Sequence, residues 1–482
     1  MQFTTTESAF LTETSQMSSH MNTRLNYFRS KHSRFVYKSY DVQFRNGTIV
    51  FSFEFHITPD LTFRPVIEID GIKPETYSII PKDNLNNLAF NLGLVEIPSY
   101  WKATCSPEIV VMAGSLDRNQ IDWWKNLIMK GMGEFFYVNQ INYRDPAFVT
   151  ITVINDKRIP THFPFEDKLP QDRILVPVSG GKDSIVTINV LENYAHSYEI
   201  GCLTLNPTSA AIKTIQKSNC NEQITVTRKI DNNLLSLNSD GYLNGHTPFS
   251  SVLDFISISC ALIFNYGKVI LSNERSSNEG NTVYMGEVIN HQYSKSIEFE
   301  NLLREYVSKY IAKNLEIFSL LRPLYEIQIA EYFSKLKDYH SIFLSCNRGQ
   351  KEGKWCRRCP KCLSTFLLLS PFLEEKELID IFSEDLFSNS TLTETALSLI
   401  SLNKNKPFEC VGTYEENLIC FYINIKRRNP DKLPIILRSV KSHIPNEVFA
   451  ENQADLLLKS WNNENNLPDE FVQMLKKAMI ES

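Results

Sequence analysis

The sequence predicts an α/β protein: a parallel sheet covered by helices on both faces, preceded by an α+β domain and followed by a mostly helical region. Three observations carry this expectation. From about residue 172, short apolar strands alternate with helical patterns, the rhythm of βαβ units. A glycine-rich turn at residues 179–184 joins one such strand to a helix. Before these, residues 34–70 alternate apolar and polar side chains around an Asn-Gly pair.

The chain has 482 residues, 43% of them hydrophobic, which is enough for two or three packed domains. A net charge of −5 offers no basic face for nucleic acid, so a small-molecule substrate is the better expectation. No apolar run reaches the length of a transmembrane helix. Residues 1–33 are polar and rich in Thr and Ser, without the basic start and apolar centre of a secretory signal. They read as a disordered arm on a cytoplasmic protein.

Residues 34–165 form the expected α+β domain. Val42, Phe44, Ile49, Phe51, Phe53 and Phe55 alternate with polar residues, and Asn46-Gly47 marks the hairpin turn. Apolar spacing predicts helices over 84–97 and 119–133, and a strand over 148–154. Trp123, Trp124, Phe135, Phe136 and Tyr137 read as core aromatics sooner than as a pocket lining. Residues 156–173, rich in proline and charge, mark a boundary. The parallel-sheet domain is expected over 166–400, and the helical C-terminal region over 401–482.

Ser179, Gly180, Gly181, Lys182, Asp183 and Ser184 directly follow the apolar strand 174–178 and directly precede a helix. Glycines let backbone N–H groups approach an anion closely, and a helix N-terminus adds free N–H groups and a favourable dipole. The two serines add hydroxyl donors. The spacing is not that of a Walker loop. It resembles the SGGxDS signature of the PP-loop ATP pyrophosphatases. That resemblance implies a Rossmann-like sheet of about five parallel strands over 172–345, ATP split between its α- and β-phosphates, and Mg²⁺ bridging the phosphates. It further implies adenine contact at the next strand end, at Leu205 and Asn206. Asp183 resembles the family acid beside the metal and phosphates, and Lys182 lies where it can hold an anion.

Four of the ten cysteines cluster: Cys346, Cys356, Cys359 and Cys362. Four thiolates with two short spacings suit a closed, structural tetrahedral Zn²⁺ site within residues 346–362, with Arg357, Arg358 and Lys361 offsetting the negative charge. An iron–sulfur cluster uses the same ligand set. The pattern is similar to the zinc loop of 7-cyano-7-deazaguanine synthase, another PP-loop enzyme. With one tight cluster in a large chain, metal is expected rather than disulfides.

The segments GYLNGHTPFSSVLD (241–254), LSNERSSNEGN (271–281) and GMGEFFY (131–137), together with the long N-terminal domain and the cysteine cluster, resemble the MurL-type UDP-N-acetylmuramoyl-L-alanyl-L-glutamate epimerases over about residues 35–425. The resemblance implies conversion of the terminal L-Glu of UDP-MurNAc-L-Ala-L-Glu to D-Glu with ATP and Mg²⁺, in peptidoglycan precursor synthesis. Adenylating the α-carboxylate removes its charge and makes the Cα proton acidic enough to take. Candidates for the proton steps are His246 in its polar loop, and Glu274 and Glu279 beyond a strand end. Cys202, Cys220 and Cys260 could supply thiols, although buried thiols are usually inert. Two other classes stay open on the residues alone. One is a PP-loop enzyme passing its adenylate to ammonia or another nucleophile, such as an amide or nitrile synthetase. The other is a non-catalytic nucleotide binder. The oligomeric state is not legible.

Overall fold

The structure is a computed structural model that describes residues 23–154, 164–166, 168–401, 404–444 and 447–481. Its first strands, β1 (Arg34–Arg45) and β2 (Thr48–Ile57), form the expected hairpin. Asn46 and Gly47 take φ of 49° and 80°, the left-handed pair that a two-residue hairpin turn requires. Alternate β2 residues Ile49, Phe51, Phe53, Phe55 and Ile57 are buried.

The remaining strands are β3 (Leu61–Phe63), β4 (Val66–Ile69), β5 (Glu108–Val111), β6 (Thr150–Val153), β7 (Arg173–Pro177), β8 (Glu199–Leu205), β9 (Glu222–Lys229), β10 (Lys268–Leu271), β11 (Thr282–Tyr284), β12 (Glu287–Ile289) and β13 (Glu316–Ser319). Among the described residues, 11 strands make one sheet in the order β13-β10-β7-β8-β9-β4-β2-β1-β5-β6, with β3 beside β2. β11 and β12 form a separate ribbon.

The stretch from β13 to β9 is parallel throughout. Its strands are apolar on both faces because both faces are covered. Leu175, Leu203 and Val269 point into one core, with the helices Lys82–Trp101 and Phe249–Ile263. Ile174, Val176, Cys202 and Ile270 point into the other, with the helices Lys182–Tyr194, Glu326–Ser334 and Pro360–Leu369. The chain enters at β7, steps outward to β8 and β9, then returns to lay β10 and β13 on β7's other side. Loops leaving β7 and β10 therefore diverge from neighbouring strand ends and open a crevice between them.

The boundary expected at residue 165 is not a break in this sheet. β4 pairs antiparallel with β9, Val66 opposite Lys229 and Ile69 opposite Val226. A buried ion pair reinforces the junction. Arg228 donates to Glu96 through Nε at 2.5 Å and Nη2 at 2.7 Å, and also to Ser99. Most of the expected boundary segment lies outside the described residues.

The arm expected over residues 1–33 is, from residue 23 to 31, a helix. Leu25 and Phe28 are buried, and Arg29 donates to the carbonyls of Cys105 and Phe148. One apolar pair three residues apart suffices to dock it, a signal that the surrounding polar residues dilute. Residues 1–22 lie outside the described residues. Trp124, Phe135 and Phe136 are core side chains, as expected, and the Trp124 indole donates to the Tyr306 hydroxyl. Cys202 and Cys220 are joined as a disulfide between β8 and the approach to β9. This corrects the expectation of no disulfide and removes both as free thiols. The spacing of scattered cysteines carries no such information, because β8 and β9 become neighbours only in the sheet. The C-terminal region contains the helices Tyr414–Lys426, Ile435–Val440, Glu447–Leu458 and Asp469–Glu481. Among the described residues no helix is long and apolar enough to cross a membrane.

Removing the Glu96 carboxylate would leave a buried, unpaired guanidinium. Glu96→Ala is expected to cost about 3–5 kcal/mol of stability in urea unfolding, with part of the loss recovered by adding Arg228→Met.

Candidate functional site

The turn after β7 is built by a close approach that excludes side chains. Gly180 has φ of 80°, and a Cβ there would lie 2.4 Å from the Ala211 amide nitrogen. A Cβ on Gly181 would meet Ser345 Oγ at 3.0 Å. The Leu344 amide donates to the Gly180 carbonyl at 2.9 Å and backs the turn from behind. Gly181 is the N-cap of the helix Lys182–Tyr194 and has no side chain to satisfy its first-turn N–H groups. Ser184 Oγ donates to the Gly181 carbonyl, and Ser179 is exposed at the lip.

Lys182 is turned inward. Its ammonium, 5% exposed, lies 2.5 Å from Asp183 Oδ1 and 3.2 Å from Glu326 Oε2. Burial works against its charge, but Asp183 and Glu326 prevail and hold it above the ordinary lysine range. Asp183 is half-exposed beside the turn.

Across the crevice, the loop after β10 carries Glu274. Its carboxyl is buried, and Oε1 has no hydrogen-bond partner among the described residues. Burial, with Glu326 and Asp183 nearby, pushes it up to about 7 against the opposing charges of Lys295 and Lys182. Arg322, fully buried, fixes the backbone here. Its Nη1 donates to the Glu274 carbonyl at 2.8 Å and its Nη2 to the Lys295 carbonyl at 2.6 Å.

Lys295 joins this crevice to a second cluster. Its ammonium lies 3.3 Å from Cys410 Sγ. Its charge also acts on His246 and His291. His291 Nδ1 is 2.5 Å and His246 Nδ1 3.6 Å from Glu134 Oε2, and the two imidazole rings lie 4.3 Å apart. Burial is the main cause that depresses both histidines to about 3; His291 adds to it for His246, and Lys295 for His291. Both imidazoles are therefore neutral at pH 7, and His246 can give or accept a hydrogen bond there but does not act as a cation.

Two expected residues are engaged elsewhere. Glu279 Oε1 accepts from Lys406 Nζ at 2.8 Å and from the Tyr414 amide at 3.0 Å, fastening the C-terminal region. The Asn206 side chain pairs with the Arg228 backbone in both directions and prolongs the β8–β9 ladder. Leu205 is half-buried at that strand end. Cys260 is buried, which pushes its thiol up and keeps it protonated.

The four clustered cysteines converge. The sulfurs of Cys346 and Cys359 are 3.8 Å apart, Cys356 and Cys362 3.7 Å, and Cys359 and Cys362 3.5 Å. A tetrahedron with 2.3 Å metal–sulfur bonds has edges of about 3.8 Å. Amides of Gly349 and Cys356 donate to Cys346 Sγ, as they would to a thiolate ligand. A cluster of several irons puts each thiolate on its own metal and spreads the sulfurs; this spacing fits one ion. Arg357 reaches Glu384 rather than the sulfurs.

Sequence reasoning missed Glu134, His291, Lys295, Glu326 and Cys410. Glu134 lies inside a segment that was noticed only as a whole. The others have no local motif, since they meet only when distant segments converge.

Residues 27–320 match the MurL N-terminal domain and residues 342–455 the MurL C-terminal domain. A UDP-N-acetyl-alpha-D-muramoyl-L-alanyl-L-glutamate epimerase from Micromonospora sp. is 29% identical over 423 residues, covering 86% of this chain and 92% of the relative. Proteins of the same name from Salinispora tropica and Xanthomonas oryzae are 31% and 29% identical. The first covers 67% of this chain and 69% of the relative, the second 73% and 78%. With both domain models matched in order across the sheet, the crevice and the cysteine cluster, the chain belongs to the MurL family.

Proposed function

We propose that this chain is an ATP-dependent epimerase. It would convert the terminal L-Glu of UDP-MurNAc-L-Ala-L-Glu to D-Glu through an acyl-adenylate, releasing AMP and pyrophosphate. The substrate is that named for its relatives. The observation that carries the reading is the uncapped helix N-terminus behind Gly180 and Gly181, at the point where strand order reverses. Five parallel strands entered at the central one support the Rossmann-like, PP-loop assignment. The free amides of residues 180–184 suit the departing pyrophosphate.

Adenylation is what the epimerisation needs. A carbanion beside a carboxylate is opposed by its charge; beside a mixed anhydride it is stabilised. Asp183, half-exposed at the turn, would hold a Mg²⁺ that offsets phosphate charge. Lys182 holds Asp183 and Glu326 in place. Glu274 keeps its proton up to about pH 7 and can deliver it to carbon. The Cys346, Cys356, Cys359 and Cys362 sulfurs would hold a structural Zn²⁺, whose place behind the turn supports the loop 344–346. A nucleotide-linked precursor and ATP fit a cytoplasmic enzyme.

Incubated with ATP, Mg²⁺ and the L-Glu substrate, the protein is expected to yield AMP and D-Glu; ADP as sole nucleotide product would refute the reading. Asp183→Ala should abolish AMP formation while leaving the circular dichroism spectrum unchanged. Elemental analysis is expected to give one zinc per chain and no iron. Because Glu274 must carry a proton, D-Glu formation should decline as pH rises above about 7. AMP release should not follow that decline, which a parallel assay of both products at each pH would reveal.

A further inference from the structure

We propose that Cys410 is a catalytic residue of this reaction: its sulfur, held beside the Lys295 ammonium, takes the Cα proton of the activated glutamate, and Glu274 returns a proton from the opposite face. This rests on the adenylating-epimerase reading above and adds to it the group that breaks the C–H bond.

The cysteines separate cleanly by setting. Cys202 and Cys220 are bonded to each other, four others form the metal cluster, and Cys105, Cys260 and Cys420 are buried. Among the described residues, Cys410 alone is half-buried, unbonded and outside the cluster. Its sulfur lies 3.3 Å from Lys295 Nζ, a polar contact that a merely packing sulfur does not need. A packing role would leave this sulfur among apolar groups instead.

Its loop is pinned. Asn281 Nδ2 donates to the Pro407 carbonyl at 2.7 Å, and Asn417 Nδ2 to the Val411 carbonyl at 2.8 Å. Such anchoring on both sides suits a side chain that must meet a carbon atom in one geometry.

The second, independent observation is Glu274. A buried carboxyl oxygen without a partner is costly and calls for an explanation. It lies on the segment that shares Arg322 with Lys295, so one guanidinium fixes both backbones. A buried carboxyl that stays protonated to near neutrality is a donor; a sulfur beside an ammonium is placed to act as the base. Donor and base thus share Lys295, which Cys410 touches and on whose charge Glu274 acts.

Inversion needs this complementarity. The Cα–H bond breaks as an S–H bond forms on Cys410, and the electron pair passes into the acyl carbonyl. The O–H bond of Glu274 then breaks as a new Cα–H bond forms on the other face. This leaves a Cys410 thiol and a Glu274 carboxylate, which exchange protons with solvent before the next turnover. Water cleaves the acyl–phosphate bond, giving the D-Glu carboxylate and AMP.

The test runs the full-length protein with ATP, Mg²⁺ and UDP-MurNAc-L-Ala-L-Glu in D₂O. Wild-type protein should release AMP and D-Glu carrying deuterium at Cα. In Cys410→Ala, AMP release should persist while D-Glu formation falls about 100-fold or more, with no deuterium in recovered L-Glu. Glu274→Gln should also lose D-Glu, yet wash deuterium into recovered L-Glu, because the thiol still removes and returns a proton on its own face. D-Glu formation by Cys410→Ala within about tenfold of wild type would overturn the proposal. So would loss of AMP release in both Cys410→Ala and the conservative Cys410→Ser. Absence of AMP from the wild-type protein would refute the adenylating reading beneath it, a distinguishable failure.

Discussion

The site depends on one close contact between backbones. At Gly180 the turn after β7 presses against the start of the helix Ser209–Lys217, where a Cβ would stand 2.5 Å from the Ala210 carbonyl carbon. On its other side the turn accepts a hydrogen bond from Leu344, two residues before Cys346. The cysteine cluster is therefore a brace for the turn as well as a local knot. Fixing Cys346 fixes the strap 344–346, and the strap fixes the carbonyl of Gly180. A closed four-thiolate site, with no position left for substrate, suits that duty.

Around the turn, charge is balanced by pairing instead of solvent. Lys182 faces Asp183 and Glu326, and Arg322 faces Glu300 at 2.9 Å while gathering carbonyls from two loops. Buried ions survive only when their partners are in place. Glu274 departs from that rule, since its Oε1 lacks a partner among the described residues and its carboxyl responds by keeping its proton. Arg322 Nε and Asp254 Oδ2 likewise lack partners among the described residues, so the Glu274 oxygen is one of several open positions here.

What could be read from the residues was whatever one segment determines alone. Asn46-Gly47 fixes its hairpin because both φ values must be positive there. The turn 179–184 was legible for the same reason: strand, glycines and helix are consecutive. The four cysteines were legible because three of them lie within seven residues. Asn206 is ambiguous in sequence, since a polar residue at a strand end is equally suited to ligand contact and to the ladder extension it makes with the Arg228 backbone. The pairing of Glu279 was not legible, because its partner Lys406 is far along the chain. The helix at 23–31 escaped notice because two apolar residues hold it. The Glu134, His246 and His291 cluster was invisible, as its members come from three segments that only the fold brings together.

The C-terminal region, which showed no catalytic cluster in sequence, is tied into the crevice from several points. Glu416 accepts from Ser276 Oγ at 2.7 Å and from the Ile327 amide at 2.9 Å, linking the loop after β10 to the helix that carries Glu326. Lys406 holds Glu279 and the Gly412 carbonyl, and between Lys406 and Gly412 lies Cys410. The turn 179–184 and the loop of Glu274 thus come from the segment matched as the N-terminal domain, and Cys410 from the segment matched as the C-terminal domain. If activation of the carboxylate belongs to the first and removal of the proton needs the second, then the contacts of Glu416 and Lys406 do more than hold helices together. On that reading they would set the distance between the activated carbon and Cys410 Sγ, and both of these charged side chains are buried in a region otherwise built from apolar packing.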